Sequence, residues 1–359
     1  MMNHPMSARL MLEDGTVFTG KSFGDERSVA GEVVFNTSMT GYPESLTDPS
    51  YAGQILVATY PLIGNYGVPG IRLTNGLPDF FESERIQVTA LIVSDYSEQY
   101  SHWSAAQSLG NWLKEYKIPG LYGIDTRALT KIIREKGAML GKIVFGDDDI
   151  DFIDPNQQNL VDTVSCREVI TYGEGRTRIL LIDCGVKYNI IRHFVRRGTT
   201  VIRVPWDYDY SGVEYDGLFI SNGPGNPRMC EATIRHLSAS IKQDTPIFGI
   251  CLGNQLLALA SGAETYKLKY GHRSHNQPVL LCGSNRAFIT SQNHGFAIDQ
   301  NTLSDEWEPF FINLNDGTNE GLRNKKKKIF SVQFHPEASS GPTDTEYLFD
   351  EFLGMINNK

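Results

Sequence analysis

Apolar positions recur along this chain in two rhythms. Up to about residue 145 they fall in short runs, Arg9 to Leu12, Glu32 to Asn36, Gln54 to Thr59 and Gln87 to Val93, separated by Gly, Pro, Asn and Asp. Such runs predict strands joined by turns. Two stretches in this half have helical spacing instead. Between Ser104 and Tyr116 the apolar Leu109, Trp112, Leu113 and Tyr116 share one face, and Asp125-Thr126 can cap a second helix that runs to Lys136 and stops at Gly137. The first half therefore reads as a mixed α+β unit whose topology the pattern leaves undecided. After it the pattern changes to strand, helix, strand. Arg178 to Asp183 is a buried-type strand, Tyr188 to Arg197 a helix ended by Gly198, and Thr199 to Val204 a strand again, with Gly217 to Ser221 and Pro246 to Ile250 continuing the series. This alternation predicts an α/β domain with a central, mostly parallel sheet covered on both faces, and with functional groups at the carboxyl ends of its strands.

At 359 residues the chain is longer than one core usually organises, which predicts two domains. The stretch from Asp147-Asp148-Asp149 to Asn156-Gln157-Gln158-Asn159 is polar and carries a proline, as a connection does. The expected division is a domain over 1–150, a linker over 151–177 and a second domain over 178–359. A formal net charge of −9 leaves no general electrostatic footprint for a phosphate backbone or an anionic membrane, so neither nucleic acid nor membrane is an expected partner. The one basic run, Lys325 to Lys328, directly precedes the apolar Ile329 to Val332 and reads as the solvated turn of a hairpin. The first residues lack the charged start and apolar run of a secretory signal, and no apolar stretch approaches membrane-spanning length. The five cysteines are odd in number and scattered, which indicates neither a disulfide framework nor a zinc site. A reducing cytoplasm fits these features.

The sharpest local signal is Pro246-Ile247-Phe248-Gly249-Ile250-Cys251-Leu252-Gly253-Asn254-Gln255, a buried strand, a Gly-x-Cys-x-Gly turn and a helix. A tight strand-to-helix turn exposes a nucleophile, its glycines permit the crowded backbone, the helix dipole favours a thiolate, and the N–H of Leu252 is placed to stabilise an oxyanion. Most free cysteines are small core residues, and the turn is what favours the nucleophile here. A thiol needs a base, which Phe334-His335-Pro336-Glu337 offers: on extended chain an i, i+2 pair points one way, so Glu337 can orient the His335 imidazole toward a thiol. Two further segments suit substrate contact. Ser221-Asn222-Gly223-Pro224-Gly225 leaves a strand in a glycine-containing loop, and Ser291-Gln292-Asn293-His294-Gly295-Phe296 follows another strand. His294 is a rival base, although it lies beside Gly295 rather than a carboxylate.

Together, Ser221 to Gly225, Gly249 to Gln255, Gln292 to Phe296 and His335-Pro336-Glu337 resemble, in order, the motifs of a class I glutamine amidotransferase domain over roughly 178 to 356. The N-terminal half narrows the resemblance. Gly31-Glu32-Val33-Val34-Phe35-Asn36-Thr37-Ser38-Met39-Thr40-Gly41-Tyr42-Pro43-Glu44, Leu46 to Tyr51, Tyr60-Pro61 with Gly64-Asn65, and Gly123-Ile124-Asp125-Thr126-Arg127 are similar to the first domain of the family of carbamoyl phosphate synthase small chains. The resemblance implies that Cys251 attacks the side-chain amide of L-glutamine, that His335 moves the proton and that Glu337 holds His335. It implies glutamine contacts from Ser50, Gly223, Gly225, Leu252, Gln255, Asn293, Gly295 and Phe296, with Ser50 placing the site near the domain boundary. It also implies that ammonia passes to a large synthetase chain that uses bicarbonate, ATP and Mg²⁺, while this chain holds no cofactor or metal of its own. Asn254 departs from the family pattern, where many small chains carry His, and sits where it would tune affinity. Rival readings are the glutaminase half of a different amidotransferase, a silent binding module, and a stand-alone cysteine hydrolase. The first domain argues against the first of these, and the retained Cys251, His335 and Glu337 against the second.

Overall fold

The structure is a computed structural model that describes residues 5–147 and 150–357. Met1 to His4, and Asp148 and Asp149 at the start of the expected connection, lie outside the described residues. The chain divides into two compact units, one of residues 1–74 and 78–158 and the other of 75–77 and 159–359.

The first unit is a closed barrel in the order Ser7–Leu12, Met139–Phe145, Val29–Asn36, Gln54–Ile63, Ala90–Tyr96, Gly120–Tyr122, Val17–Ser22. Ser7–Leu12 alternates, with Ala8, Leu10 and Leu12 buried, as a strand wetted on one face must. Val29–Asn36, Gln54–Ile63, Ala90–Tyr96 and Gly120–Tyr122 instead pair in parallel, and their runs Val33 to Phe35, Ile55 to Val57 and Ala90 to Val93 are buried on both faces. The helix expected from Asp125-Thr126 runs Thr126–Lys136, its cap made by Asp125 Oδ1 accepting from the Ala128 N–H at 2.8 Å and its end by Gly137 at φ 111°. The other expected helix is shorter than its periodicity. It spans Leu109–Glu115 because Ser108 takes the cap, accepting from the Asn111 N–H at 3.2 Å, and Ala105–Gln107 stays extended against Val68–Pro69.

The second unit is built on a ten-stranded sheet in the order Ile170–Tyr172, Thr199–Pro205, Thr177–Asp183, Gly217–Ile220, Ile247–Ile250, Ile329–Val332, Asn319–Asn324, Trp307–Asn313, Glu264–Leu281, Ala287–Asp299. The five strands from Thr199–Pro205 to Ile329–Val332 are parallel, and the rest pair antiparallel. Successive residues of the parallel strands enter two cores. Ile179, Leu181, Phe219, Phe248 and Phe330 pack with Phe194 and Phe349 on one face, while Leu180, Ile182, Leu218, Ile220 and Ile247 pack with Leu237, Leu256 and Leu257 on the other. Each such fully buried side chain stabilises the fold by about 1.5–3 kcal/mol relative to exposure. Two sequence readings change here. Ser291 to Phe296 does not follow a strand but lies within Ala287–Asp299, whose long pairing with the largely polar Glu264–Leu281 gives no alternating signal. The lysine turn does join the antiparallel Asn319–Asn324 and Ile329–Val332, yet it is not merely solvated. Lys325, Lys327 and Lys328 donate from Nζ to the carbonyls of Asp305, Ile241 and Met355, at 2.9, 2.6 and 2.9 Å.

Candidate active site

Parallel register brings the separated motifs together. Ile250 pairs with Val332 and the Cys251 N–H donates to the Val332 carbonyl at 2.8 Å, so the chain leaves two adjacent strands at the same edge, once into Cys251 and once toward His335. Gly223 follows Gly217–Ile220, the neighbour on the other side, and Lys187 follows Thr177–Asp183 next to that. All four segments lie past carboxyl ends, where an open parallel sheet leaves backbone groups unpaired.

Cys251 sits at φ 55°, ψ −103°, a conformation that costs a non-glycine residue about 1–3 kcal/mol and persists only where the surroundings impose it. Its surroundings are tight. A Cβ on Gly249 would lie 2.8 Å from the Gly253 carbonyl group, and one on Gly253 would lie 2.3 Å from the Ile220 carbonyl oxygen, so both elbow glycines are obligatory for this approach of helix to strand. The Asn254 and Gln255 N–H groups donate to the Cys251 carbonyl at 3.1 and 3.3 Å, closing the first turn of Leu252–Ala260. Leu252 opens that helix, where the first N–H groups have no intrahelical acceptor.

The Cys251 thiol is buried and faces the Asn293 carbonyl, Sγ to O 3.6 Å. His335 is 2 % exposed, with its N–H donating to the Ser291 carbonyl at 2.9 Å and its Nδ1 2.7 Å from Glu337 Oε1. Its Nε2 is buried without a hydrogen-bond partner. Burial pulls the imidazole's pKa down, but the Glu337 carboxylate and then the Cys251 sulfur outweigh it and raise the ring to about 10. Burial pushes the Glu337 carboxyl up, and Lys187 and His335 reverse that to hold it well below the usual carboxylate range. A sulfur and an ionised carboxylate that both act on one imidazole make a nucleophile, a base and an orienter.

The remaining candidate residues fall as follows. A Cβ on Gly223 would lie 2.0 Å from the Cys184 carbonyl oxygen, a clash, and Gly225 has φ +82°, a backbone conformation that strains a residue with a side chain. Gln255 Nε2 donates to the Phe296 carbonyl at 3.0 Å and to Gln333 Oε1 at 3.2 Å, tying the elbow helix to the strand that carries Asn293, Gly295 and Phe296. Asn254 is fully buried, accepting from the Ser331 hydroxyl at 2.8 Å and donating to Gln333 at 3.1 Å, so its amide knits helix to sheet at both ends. His294 faces the Phe296 carbonyl with Nδ1 at 2.9 Å and Gln292 Oε1 with Nε2 at 3.1 Å, and burial followed by His272 keeps its pKa well below the ordinary value. Its ring is engaged away from the thiol. Ser50 belongs to the first unit, in the turn Pro49–Tyr51, with its N–H donating to Asp48 Oδ1 at 2.9 Å.

Sequence reasoning missed Lys187. Its ammonium lies 3.1 Å from Glu337 Oε1, and both side chains are almost wholly buried, 7 % and 0 % exposed. Its place just beyond a strand's carboxyl end was a signal, but nothing local pairs it with a glutamate in another motif.

Comparison with known proteins follows the two-unit division. Residues 180–355 match the family described as Glutamine amidotransferase class-I, and residues 10–143 match Carbamoyl-phosphate synthase small chain, CPSase domain. A Homo sapiens protein named carbamoyl-phosphate synthase (ammonia), mitochondrial, is 52% identical over 98% of this chain. The multifunctional protein pyr-3 of Neurospora crassa is 50% identical over 97% of it. This chain spans only 24% and 21% of the lengths of those two relatives. Among solved structures, a glutamine amidotransferase from Thermotoga maritima aligns with 46% of this chain and 77% of its own, at 20% identity and a TM-score of 0.39. All five cysteines are free, and among the described residues no helix is long and apolar enough to cross a membrane.

Proposed function

We infer activity from the premise that this chain belongs to the family of carbamoyl-phosphate synthase small chains, with that family's first domain followed by a class I glutamine amidotransferase domain. We propose that it hydrolyses L-glutamine and delivers the ammonia to a large synthetase chain, which makes carbamoyl phosphate from bicarbonate with ATP and Mg²⁺. The observation that carries this reading is the His335 imidazole acted on by both the Glu337 carboxylate, 2.7 Å from its Nδ1, and the sulfur of Cys251, which sits at the strained elbow. The thiol proton passes to His335, the sulfur attacks the amide carbon, and the imidazolium returns the proton to the departing nitrogen as the C–N bond breaks. Ammonia and a thioester result. Water, deprotonated by the same imidazole, then cleaves the thioester to glutamate and restores the thiol. The N–H of Leu252, at the opening of its helix, would stabilise the oxyanion in both steps. Gly223, Gly225, Gln255, Asn293, Gly295 and Phe296 would hold the glutamine. The relatives carry this chain's equivalent within a much longer polypeptide, which supports a synthetase partner here.

A second reading has a specific source, since the human relative's printed name gives ammonia as what it uses. Such a chain would support synthesis without hydrolysing glutamine. One experiment separates the two: ammonia release from glutamine by the purified chain, alone and with its cognate synthetase, ATP and bicarbonate. Partner-stimulated release with carbamoyl phosphate as product is expected. Cys251→Ser is expected to abolish glutamine-dependent synthesis while added ammonium is still used. Equal loss of both activities would sink the role of Cys251, and a wild-type chain inert toward glutamine would favour the ammonia reading.

A further inference from the structure

The geometry points to a metal site in the second unit: His272, His294 and Glu320 bind one divalent transition-metal ion of the zinc type, which ties together the three strands that carry them. The site shares no residue with Cys251, His335 and Glu337, and it stands whether or not the chain hydrolyses glutamine.

The antiparallel part of the sheet builds it. His272 on Glu264–Leu281 and His294 on Ala287–Asp299 are paired across the ladder, and their rings meet edge to face with centroids 4.9 Å apart. Glu320, on Asn319–Asn324, is fully buried and places Oε1 3.3 Å from His272 Nδ1 and 3.9 Å from His294 Nε2. One donor atom from each of the three side chains therefore converges on one spot, all within 4.8 Å of one another. The outward nitrogens are already engaged. His272 Nε2 lies 2.8 Å from Asp316 Oδ2, and His294 Nδ1 lies 2.9 Å from the Phe296 carbonyl oxygen. Imidazoles that ligate metals are held in this way, with the N–H remote from the ion bound to a carboxylate or a carbonyl, which fixes the tautomer and aims the other lone pair inward.

What the inner atoms face is a second, independent observation. The Phe296 carbonyl only accepts, so His294 carries its hydrogen on Nδ1, and burial, followed by His272, keeps the ring neutral. Nε2 then presents a lone pair, and the groups before it are acceptors, Gln292 Oε1 at 3.1 Å and Glu320 Oε1. Turning the Gln292 amide around does not help. Its Nε2 donates to the Thr290 hydroxyl at 3.2 Å, and that hydroxyl gives its one hydrogen to the Gln277 carbonyl at 2.9 Å, so an oxygen put there meets no donor. Glu320 Oε2 is buried without a hydrogen-bond partner. A lone pair and a carboxylate oxygen that face acceptors in a dry site are costly, and a cation among them removes the cost. With both carboxylates ionised and His272 protonated, the metal-free cluster of His272, Asp316 and Glu320 carries one net negative charge. A divalent ion that displaces the His272 proton to solvent brings it to zero. Two imidazoles and one carboxylate suit zinc or cobalt rather than magnesium or calcium, which take oxygen ligands. Tetrahedral ligands on zinc stand about 3.3 Å apart. His272 Nδ1 and Glu320 Oε1 are already at that distance, and a tilt of the His294 ring closes the rest, with Gln292 Oε1 beside it for the fourth position.

The test is metal binding by the full chain after treatment with a chelator. Zn²⁺ is titrated in competition with a chromophoric chelator, and Co²⁺ is followed by its visible absorption. Wild type is expected to take up about one ion per chain with a Kd of about 1 μM or tighter, and Zn²⁺ is expected to raise its unfolding temperature. Glu320→Gln has the same size and keeps the oxygen that accepts from Asn313 Nδ2 at 3.0 Å. It is expected to weaken binding by at least about 30-fold, because it removes the charged ligand. Asp316→Asn changes a half-exposed side chain outside the cluster, which keeps the proposal testable if Glu320→Gln does not fold. It is expected to weaken binding by about tenfold or more, since His272 loses the carboxylate that aims it. Cys251→Ser is expected to bind as wild type does. A wild-type chain that binds neither ion at about 100 μM would overturn the proposal. So would unchanged affinity in Glu320→Gln or Asp316→Asn, or loss of binding in Cys251→Ser, which would place the ion on the thiol instead.

Discussion

The elbow glycines make a prediction that follows from distances alone. In Gly253→Ala the new Cβ would lie 2.3 Å from the Ile220 carbonyl oxygen and 2.9 Å from its carbon, backbone atoms at the end of a central strand that cannot rotate aside. Bringing 2.3 Å out to the 3.0 Å below which Cβ contacts are not found requires about 0.7 Å of separation between helix and strand. The strand is fixed by parallel neighbours on both sides, so the helix start must retreat, carrying Leu252 and Cys251 away from His335. Overpacking of this size costs about 1–3 kcal/mol of stability, and a displacement approaching an ångström at reacting groups costs on the order of 30- to 100-fold in rate. Glutamine-dependent kcat/KM of the complex should fall by that factor while ammonium-dependent synthesis is retained, and thermal unfolding should show a folded but weakened chain. A Gly253→Ala variant within about threefold of wild type in kcat/KM would refute the claim that this approach sets the position of the nucleophile.

Two further outcomes test other parts of the second unit. Gly354, inside the helix Tyr347–Asn357, has nothing within 4 Å of a built Cβ; Gly354→Ala should raise stability by about 0.5–1 kcal/mol in urea unfolding, without changing turnover, because it removes backbone freedom from the unfolded chain. His272 lies with Nε2 2.8 Å from Asp316 Oδ2 and Nδ1 3.3 Å from Glu320 Oε1. Burial lowers its pKa, but the two carboxylates outweigh that and raise it from 6.5 to about 9. Because the folded value is the higher one, its contribution of up to about 3 kcal/mol is complete below pH 6.5 and is lost as pH rises through 9. Wild-type stability should therefore fall more steeply than that of His272→Gln across this window, and equal slopes would refute the assignment.

Local chemistry left its mark in the sequence wherever neighbours in the chain were enough to decide the structure. The cap at Asp125 and stop at Gly137, the parallel strands around Gly217–Ile220 and Ile247–Ile250, the glycine-flanked Cys251 and the i, i+2 pair of His335 and Glu337 all depend on contacts within a few residues. The order of the motifs likewise carried the resemblance that the family matches bear out. Closure of the first unit into a barrel was not legible, because pairing Met139–Phe145 with Ser7–Leu12 is a choice between distant edges that no window of sequence records. Nor was the strand character of Glu264–Leu281, whose polar residues are held by the ladder they join rather than by a buried face. Tertiary structure alone decided that His294 spends its ring on Phe296 and Gln292, that Asn254 knits helix to sheet, and that a lysine after one strand lies against the glutamate after another. Each of these is a desolvated polar group, and the partner such a group must find is set by packing at a distance, not by its position in the chain.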